Sequence, residues 1–489
     1  MKTRKAVLGR MMLAVLTVAS AQLFAQQHEV YSSSSKSGEG TVITTGKETY
    51  RWKSSTGSTD FNIEIRGKIE ITDDDKDIKS ISDDGYLEIT KTVFGSKRAI
   101  VIESQGGGKM KKEYYEGRTP MAWEPNGRQW LGEIMPEIMR TTTLGAESRV
   151  NRFFKQGGSA AVLAEIGRLQ SDHVRAHYFK VLLEKNLPAG DMAAVVTQAA
   201  NTIGSDYYLS TVLQNNADRL MATPESTDAF FKATQKVDSD YYKSVILKEA
   251  LKRRSASAAQ VKSILQSAAM IDSDYYKYVV LSTLLDQPEV KEDALNEMIK
   301  MAAEIDSDHY RTQLLGEALR KPGLSKTSFK TVVDAVANVD SDYYKTNVFN
   351  SLAEKGQLDA AIQVQIMDLI SHVESDYYAS VTLTTLLDHQ KLSDEAFSKL
   401  IVLGSKLESD HYASTVLGEA AEHPLTNAQL LTILNAAGNI NSDHYLTQVL
   451  GNVATQVKAG DASVKEAYRQ AAKKISSETY YGRALRAIE

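Results

Sequence analysis

The residue types of a hydrolytic triad occur side by side four times in this 489-residue chain. The tripeptide Ser-Asp-His begins at Ser171, Ser307, Ser409 and Ser442. Acyl transfer needs a serine nucleophile, a histidine base and an aspartate that orients the base in one hydrogen-bonded line. Consecutive residues entering a helix point about 100° apart, so they cannot form that line. Tyrosine takes the histidine position in other copies, and we therefore expect no catalytic site and no enzyme.

The histidines and acidic residues also predict no metal site. Four histidines share the third position of the motif and lie at least one copy apart: His173, His309, His411 and His444. Only His173 and His177 have the i, i+4 spacing that can chelate a metal, and no third ligand stands nearby. The acidic run at residues 73–77 lacks the spacing of an EF-hand, which favours a solvated acidic turn over a calcium site. We expect no metal and no other cofactor.

The tetrapeptide Ser-Asp-Tyr/His-Tyr is the signature of an internal repeat. Its copies follow one another at intervals of 34 residues, with one interval of 33 and one of 35 near the end. The serines are Ser171, Ser205, Ser239, Ser273, Ser307, Ser341, Ser375, Ser409, Ser442 and Ser477. Serine is a favoured N-cap, and the dipole of a helix favours aspartate in its first turn. We predict that each serine caps a helix.

Each copy contains two amphipathic segments with a short break between them. In residues 239–272, apolar residues recur at helical spacing from Asp240 to Arg253 and again from Ala258 to Met270. One helix pair cannot bury its apolar stripe alone, so pairs of this kind stack on their neighbours. We predict an α/α superhelical solenoid of about nine helix-pair repeats over residues 171–476. Residues 130–170 would be its N-terminal helical cap, with helices at 144–156 and 159–169 separated by Gly157 and Gly158. Residues 477–489 would be a C-terminal half-repeat.

The third signature residue is a ring in nine copies, and we call this set the ladder. It comprises His173, Tyr207, Tyr241, Tyr275, His309, Tyr343, Tyr377, His411 and His444. One interpretation is packing between units, with tyrosine hydroxyls bonded to the neighbouring unit. The other is a contact surface for a partner, because tyrosine is enriched at interfaces. Both can hold if one ring of each signature packs while the other is exposed.

The first 129 residues have a different pattern. Residues 1–25 show the basic, apolar and small-residue order of a secretory signal peptide, which predicts export to the periplasm or cell surface. Their apolar run is shorter than the roughly 20 residues that span a bilayer. Serine-rich residues 26–40 predict a flexible linker. Apolar alternation over residues 41–118 predicts a small antiparallel β domain of five to seven strands with a thin core, and residues 119–129 a hinge. The fold class is thus α+β multidomain.

Composition excludes several classes of protein. There are no cysteines, so disulfides, thiolate metal sites and cysteine nucleophiles are absent. The formal net charge is −5, and removal of the four basic residues of the signal peptide would make it −9. No basic tract stands out, so we expect no nucleic-acid partner.

The repeats resemble TPR and HEAT-like α-solenoids, although the TPR consensus residues are missing. A closer likeness covers residues 83–489 and rests on four segments that lead into the repeats. They are Tyr114-Tyr115-Glu116-Gly117, Trp130-Leu131, Gly145-Ala146-Glu147-Ser148-Arg149-Val150 and Gly157-Gly158. This part is similar to a family of bacterial exported proteins and to the extracytoplasmic region of some BlaR1-like M56 membrane peptidases. The zinc motif and membrane helices of those peptidases are missing here, so the resemblance implies no protease activity and suggests only a sensory role.

Together these patterns predict a non-catalytic binding or scaffold protein whose solenoid presents a surface to a protein or peptide, or to an envelope glycan. An alternative is an accessory or sensor subunit of an envelope signalling or protease system, with a polar pocket around Trp123, Glu124 and Arg128. A third interpretation is a structural role in the envelope.

Overall fold

The computed structural model describes residues 30–31, 41–44, 49–252, 256–288 and 290–489. The predicted signal peptide and most of the predicted linker lie outside these ranges. The chain divides into two compact units. The first contains residues up to 191 together with 198–208, and the second contains residues 192–197 and 209–489. Within the described ranges, no helix combines the length and apolarity that crossing a membrane requires.

The first unit begins with ten strands. They are β1 Val30–Tyr31, β2 Thr41–Thr44, β3 Thr49–Thr56, β4 Thr59–Arg66, β5 Ile69–Ile71, β6 Ile78–Ile81, β7 Tyr86–Val93, β8 Ser96–Ser104, β9 Met110–Glu116 and β10 Thr119–Met121. Eight of them form one antiparallel sheet in the order β1-β2-β3-β4-β7-β8-β9-β10, and β5 and β6 form a separate hairpin. The strand count exceeds the predicted five to seven. Residues 41–118 alone contain eight strands, β2 to β9, and short edge strands add β1 inside the expected linker and β10 inside the expected hinge.

Apolar alternation gives the large sheet one buried face. Pairing sets Trp52 opposite Ile63, Ile63 opposite Ile89, and Ile89 opposite Ile100. Ile100 in turn lies opposite Tyr114. All five side chains are buried. They form one row across five strands, because residues paired across antiparallel strands project from the same face.

A helix that was not predicted completes this core. After a π-helical turn at Trp123–Gly127, helix α1 runs from Arg128 to Thr141. Its residues Leu131, Met135 and Ile138 are fully buried and share one core with the sheet and the β5–β6 hairpin. Residues 119–129 therefore form a strand, a turn and a helix start, where a hinge was expected. The sheet core therefore depends on helical residues from α1.

The remaining helical cap is a single kinked helix, α2, at Ala146–Ile166. Gly157 and Gly158 leave helical geometry, and Gly158 has a φ of 64°, a left-handed value that favours glycine. The predicted break between two helices is confirmed at these glycines.

Buried charges join α2 to the β5–β6 hairpin. Arg149, only 6% exposed in its side chain, bonds Glu165 at 2.6 Å and Asp75 at 3.2 Å. Its third partner is the Tyr178 hydroxyl at 2.6 Å, and burial raises the pKa of Tyr178 to about 12. Arg152 also contacts Asp75, at 2.6 Å. The acidic run at residues 73–77 is a solvated turn only in part: Asp73 and Asp74 are exposed, whereas Asp75 and Asp77 pair with basic side chains.

Helix pairs follow, each formed by a helix A that starts at the signature and a helix B. The A helices are α3 Asp172–Leu183, α5 Asp206–Asn215, α8 Asp240–Lys252, α10 Asp274–Leu285, α12 Asp308–Leu319, α14 Asp342–Lys355, α16 Asp376–His389, α18 Asp410–Glu422, α20 Asp443–Ala459 and α22 Glu478–Ile488. The B helices are α4 Ala189–Thr202, α7 Pro224–Gln235, α9 Ala258–Ala269, α11 Glu292–Ala303, α13 Lys326–Val336, α15 Ala360–Ile370, α17 Asp394–Ser405, α19 Asn427–Ala437 and α21 Ala462–Ala472. One short helix, α6 at Ala217–Leu220, continues α5 after a break.

In the second unit each helix packs against its counterpart in the next pair. From α8 onward every A helix contacts the next A helix, and from α7 onward every B helix contacts the next B helix. The apolar faces of both series are buried, as with Leu281 and Leu284 on α10 and Met298 and Ala302 on α11. The α-solenoid fold is confirmed, and α22 is the single closing helix expected after residue 476.

Candidate functional site

The signature aspartates connect one repeat to the next. The carboxylate of Asp342 accepts hydrogen bonds from the backbone N–H groups of Glu374 and Ser375, at 3.0 and 2.9 Å. These two groups stand immediately before the next helix A. The same pair of contacts is made by Asp172, Asp240, Asp274, Asp308, Asp410 and Asp443, at 2.7–3.2 Å. Each aspartate therefore fixes where the following helix A begins, while its charge also favours its own helix start.

The signature serines occupy the N-cap position but do not cap through their side chains. At eight of them the hydroxyl accepts no bond from the helix: Ser171, Ser273, Ser307, Ser341, Ser375, Ser409, Ser442 and Ser477. The predicted side-chain cap is wrong there. Ser205 and Ser239 begin their helices at the same register, at Asp206 and Asp240.

Backbone geometry explains the difference. The eight serines have ψ of 113–132°, whereas side chains that do cap have ψ of 157–178°. Those capping residues all precede B helices: Thr223, Ser257, Ser325, Asp359, Ser393, Thr426 and Asp461. At the A helices after the first, the serine N–H is held by the aspartate of the preceding repeat, which we take to favour the smaller ψ.

A basic residue follows five of the signatures and provides a further contact that sequence reasoning missed. Lys243 is buried and donates from Nζ to the Met270 carbonyl at the end of helix B of its own repeat, at 2.9 Å. Arg311 is likewise buried and donates to the carbonyls of Ile305 and Asn338. A cation at the C-terminal end of a helix is stabilised by the helix dipole. Basic residues recur at this position in Arg175, Lys277 and Lys345.

The two signature rings of successive repeats form an alternating row of contacts. Within one signature the ring centroids lie 5.0–5.1 Å apart, as in Tyr343–Tyr344. Between repeats the third-position ring contacts the fourth-position ring of the next signature at 5.6–6.0 Å, as in Tyr343–Tyr378. Most of these pairs meet edge to face or tilted, the arrangements that aromatic quadrupoles favour. In the second unit the row runs from Tyr241 to Tyr480.

The two rings of each signature differ in solvent exposure. The ladder rings Tyr241, Tyr275, Tyr343 and Tyr377 are 49–51% exposed. Tyr207, His309, His411 and His444 are exposed as well, whereas His173 is half-buried. The fourth-position tyrosines from Tyr208 to Tyr480 are partly buried. Packing and exposure are thus divided between neighbouring rings, so the ladder offers half of each ring surface to solvent from a fixed position.

The two histidines at chelating spacing are packed rather than free. The His173 ring lies 5.6 Å from that of Tyr208. Burial lowers the pKa of both His173 and His177, and the His177 charge lowers that of His173 further. The charge of Lys180 also lowers the pKa of His177, whereas the charges of Glu147 and Glu184 raise it.

The Ser-Asp-His copies do not assemble into a triad. The Asp308 carboxylate accepts from the backbone N–H groups of Asp340 and Ser341, and the His309 ring packs between Tyr310 and Tyr344. Aspartate and histidine of one signature thus have separate roles, in backbone capping and in the ring row.

The expected pocket around Trp123 contains a network of paired charges, two of them exposed and two largely buried. Arg128 is 54% exposed and contacts Glu124 at 2.7 Å and Asp77 at 2.6 Å. Lys112 pairs with the same Asp77 at 2.8 Å and lies over the Trp123 ring, 5.4 Å from its centroid. Asp77 and Lys112 are the largely buried members, 14% and 16% exposed, and they neutralise each other.

One cluster outside the signatures has the composition of a metal site. Ligand atoms of Asp388, Glu419 and His423 lie within 4.8 Å of one another. Sequence reasoning missed it because Asp388 belongs to one repeat and the other two residues to the next. The i, i+4 spacing of Glu419 and His423 was the available signal.

Comparisons with known proteins do not assign this chain to a family. No protein-family model matches the chain, and no curated protein matches it. A solved structure described as "Computational Design of Self-Assembling Cyclic Protein Homooligomers" is similar over 65% of this chain and 93% of its own, at 12% identity and a TM-score of 0.11. A TM-score this low carries no argument. The resemblance to exported solenoids and BlaR1-like regions stays a prediction.

Proposed function

We propose that this protein is an exported, non-catalytic binding protein whose ladder holds an extended segment of a partner protein. The observation that carries the proposal is the row of half-exposed rings, one per repeat, in the same register. Packing alone would be served by the fourth-position tyrosines, which already lie partly buried between repeats. Tyrosine is among the residues most enriched at protein interfaces and in their energetic hot spots.

The ladder rings are held in place before any partner arrives. From Tyr241 onward each contacts the ring beside it and a ring of the next repeat, and the aspartate contacts fix the helix starts on which they stand. Ordering a side chain on binding costs about 0.5–1.5 kcal/mol, so rings that are already ordered lose less. An evenly repeated surface suits a partner segment that is itself extended. Export rests on the predicted signal peptide.

A binding comparison tests this function. The mature chain and a variant with Tyr241, Tyr275, Tyr343 and Tyr377 changed to alanine are used to capture proteins from an envelope extract. A matched control changes Met270 and Val402 to alanine, two side chains outside the ladder that are 49% and 42% exposed. Captured proteins are then purified and titrated against all three chains by calorimetry.

We expect a partner that the control binds like the parent chain and the ladder variant binds at least about tenfold more weakly, since central aromatic anchors each contribute about 2 kcal/mol or more. Equal affinities for the parent and a folded ladder variant would reject the ladder as the contact surface. A bound polysaccharide in place of a protein would reject the protein partner and favour an envelope glycan.

A further inference from the structure

We infer that Asp388, Glu419 and His423 form a binding site for a divalent transition-metal ion, with Zn²⁺ as the best-suited ion. The three residues stand on neighbouring A helices that pack against each other. Asp388 lies in the last turn of α16, Glu419 lies near the end of α18, and His423 directly follows α18. This inference is independent of the ladder and of the function proposed for it.

The ligand types in this cluster suit a transition-metal ion. Two carboxylates and an imidazole offer ligand atoms within 4.8 Å of one another, close enough to surround one ion. Zinc sites combine histidine nitrogen with aspartate or glutamate oxygen at about 2.0–2.2 Å. Calcium and magnesium prefer oxygen ligands alone, so the imidazole favours a transition metal.

The second argument is an imidazole nitrogen without a partner. His423 Nε2 is buried, and no hydrogen-bond partner meets it in the part of the chain that the structure describes. A buried nitrogen of this kind is costly unless a ligand meets it. The cluster is therefore more than a group of surface acids.

The negative charges of the two carboxylates are not balanced by a lysine or arginine among the described residues. Among the described residues, neither Asp388 nor Glu419 forms an ion pair with lysine or arginine. Glu422 adds a further negative charge close to Glu419. A cation between the two facing carboxylates would relieve their repulsion.

The site is also held in shape by a neighbouring helix. Gln456 on α20 donates to the carbonyl oxygens of Ala421 and His423 at 2.8 and 2.9 Å, and its own carbonyl accepts from the Leu425 N–H at 2.9 Å. These three bonds fix the backbone on both sides of His423.

The repeat itself does not require this set of residues. One repeat earlier the equivalent positions are Glu354, Thr385 and His389, and one repeat later they are Glu422, Asn452 and Gln456. The earlier set lacks the central carboxylate, and the later set lacks the imidazole. The full set occurs once in this register, which suits a specific site better than a general packing need.

The test is calorimetric titration of Zn²⁺ into the full mature chain, prepared without a polyhistidine tag. His423→Ala and Glu419→Gln are the test variants, and His389→Ala is the matched control, because it removes the equivalent histidine from a set without the central carboxylate. Circular dichroism confirms that each variant is folded.

We expect one zinc ion to bind per chain. Each test variant should weaken binding at least about tenfold, since loss of even an outer partner of a metal ligand costs about 10–100-fold. His389→Ala should leave the affinity within about twofold of the parent value. No zinc binding by the parent chain would overturn the inference. So would undiminished binding in both test variants, or an equal loss in His389→Ala.

Discussion

The sheet-containing unit and the repeat unit both depend on aspartates that contact a distant part of the chain, but the distance along the sequence differs. In the first unit Asp75 meets Arg149 and Arg152, 74 and 77 residues away. In the second unit each signature aspartate meets backbone groups 31–34 residues away, one repeat further on.

The two arrangements also differ in energetic character. Arg149 and Glu165 are side chains that folding removes from water, so the loss of Arg149 leaves Glu165 buried with only the exposed Arg168 near it, at 3.6 Å. A signature aspartate instead accepts from neutral backbone groups and remains partly exposed. The sheet unit thus concentrates its long-range charge pairing in one buried cluster, whereas the repeat unit spreads its stability over many similar contacts.

The largest effect should come from Arg149→Met. It leaves Glu165 and Asp75 without their buried partner, and breaking a buried ion pair in this way costs about 3–5 kcal/mol. Urea denaturation followed by tryptophan fluorescence measures this loss of stability, because all three tryptophans, Trp52, Trp123 and Trp130, lie in the first unit.

Arg128→Met is the control for this prediction. Its side chain is more than half exposed, and its loss should cost less than about 1 kcal/mol. Equal losses in the two variants would contradict the central role of the buried cluster.

A smaller effect is expected at a repeat boundary. Asp342→Ala removes two charge-assisted bonds to the next repeat and should cost about 1–3 kcal/mol, measured by urea denaturation followed by circular dichroism. Ser325→Ala removes a side-chain cap of helix B and should cost about 0.5–2 kcal/mol. Ser341→Ala, at a signature serine without such a bond, should stay within about 0.5 kcal/mol of the parent chain. A larger loss for Ser341→Ala than for Asp342→Ala would restore the serine as the cap.

The smallest effect should be the response of the first unit to pH. Burial lowers the pKa of His173 and His177 below the ordinary value of 6.5, so the unfolded chain binds more protons than the folded one just below that value. Stability should fall as the pH drops from 7.5 to 5.5. Denaturation of the parent chain and of His173→Gln/His177→Gln at both pH values measures this. The variant should lose less stability than the parent, and an equal loss would show that other groups cause the response.

The sequence predicted the repeats because their signals are periodic and local. Spacing of 34 residues located the helix pairs, and Gly157–Gly158 located the kink in α2. Helix α1 was missed, since it contains Pro136 and overlaps the expected hinge. The edge strands β1 and β10 are too short to show alternation.

The long-range contacts could not be predicted from one sequence. Nothing local links Asp75 to Arg149, or Asp388 to His423. The aspartate of each signature was correctly placed at a helix start, but its bond to the next repeat depends on how repeats stack. The serine hydroxyl was predicted to cap the helix because serine is a favoured N-cap, whereas ψ at these serines is smaller than at the residues whose side chains do cap.

The direction of the aspartate contacts gives the repeat array a polarity. Each carboxylate reaches only toward higher residue numbers, so a helix A start relies on the repeat before it and on none after it. The backbone N–H groups of a repeat duplicated at the C-terminal end of the array would meet the signature aspartate of the repeat before it. A repeat added at the N-terminal end would change the surroundings of the first helix A. Lengthening by tail-end duplication is therefore the route that disturbs existing contacts least.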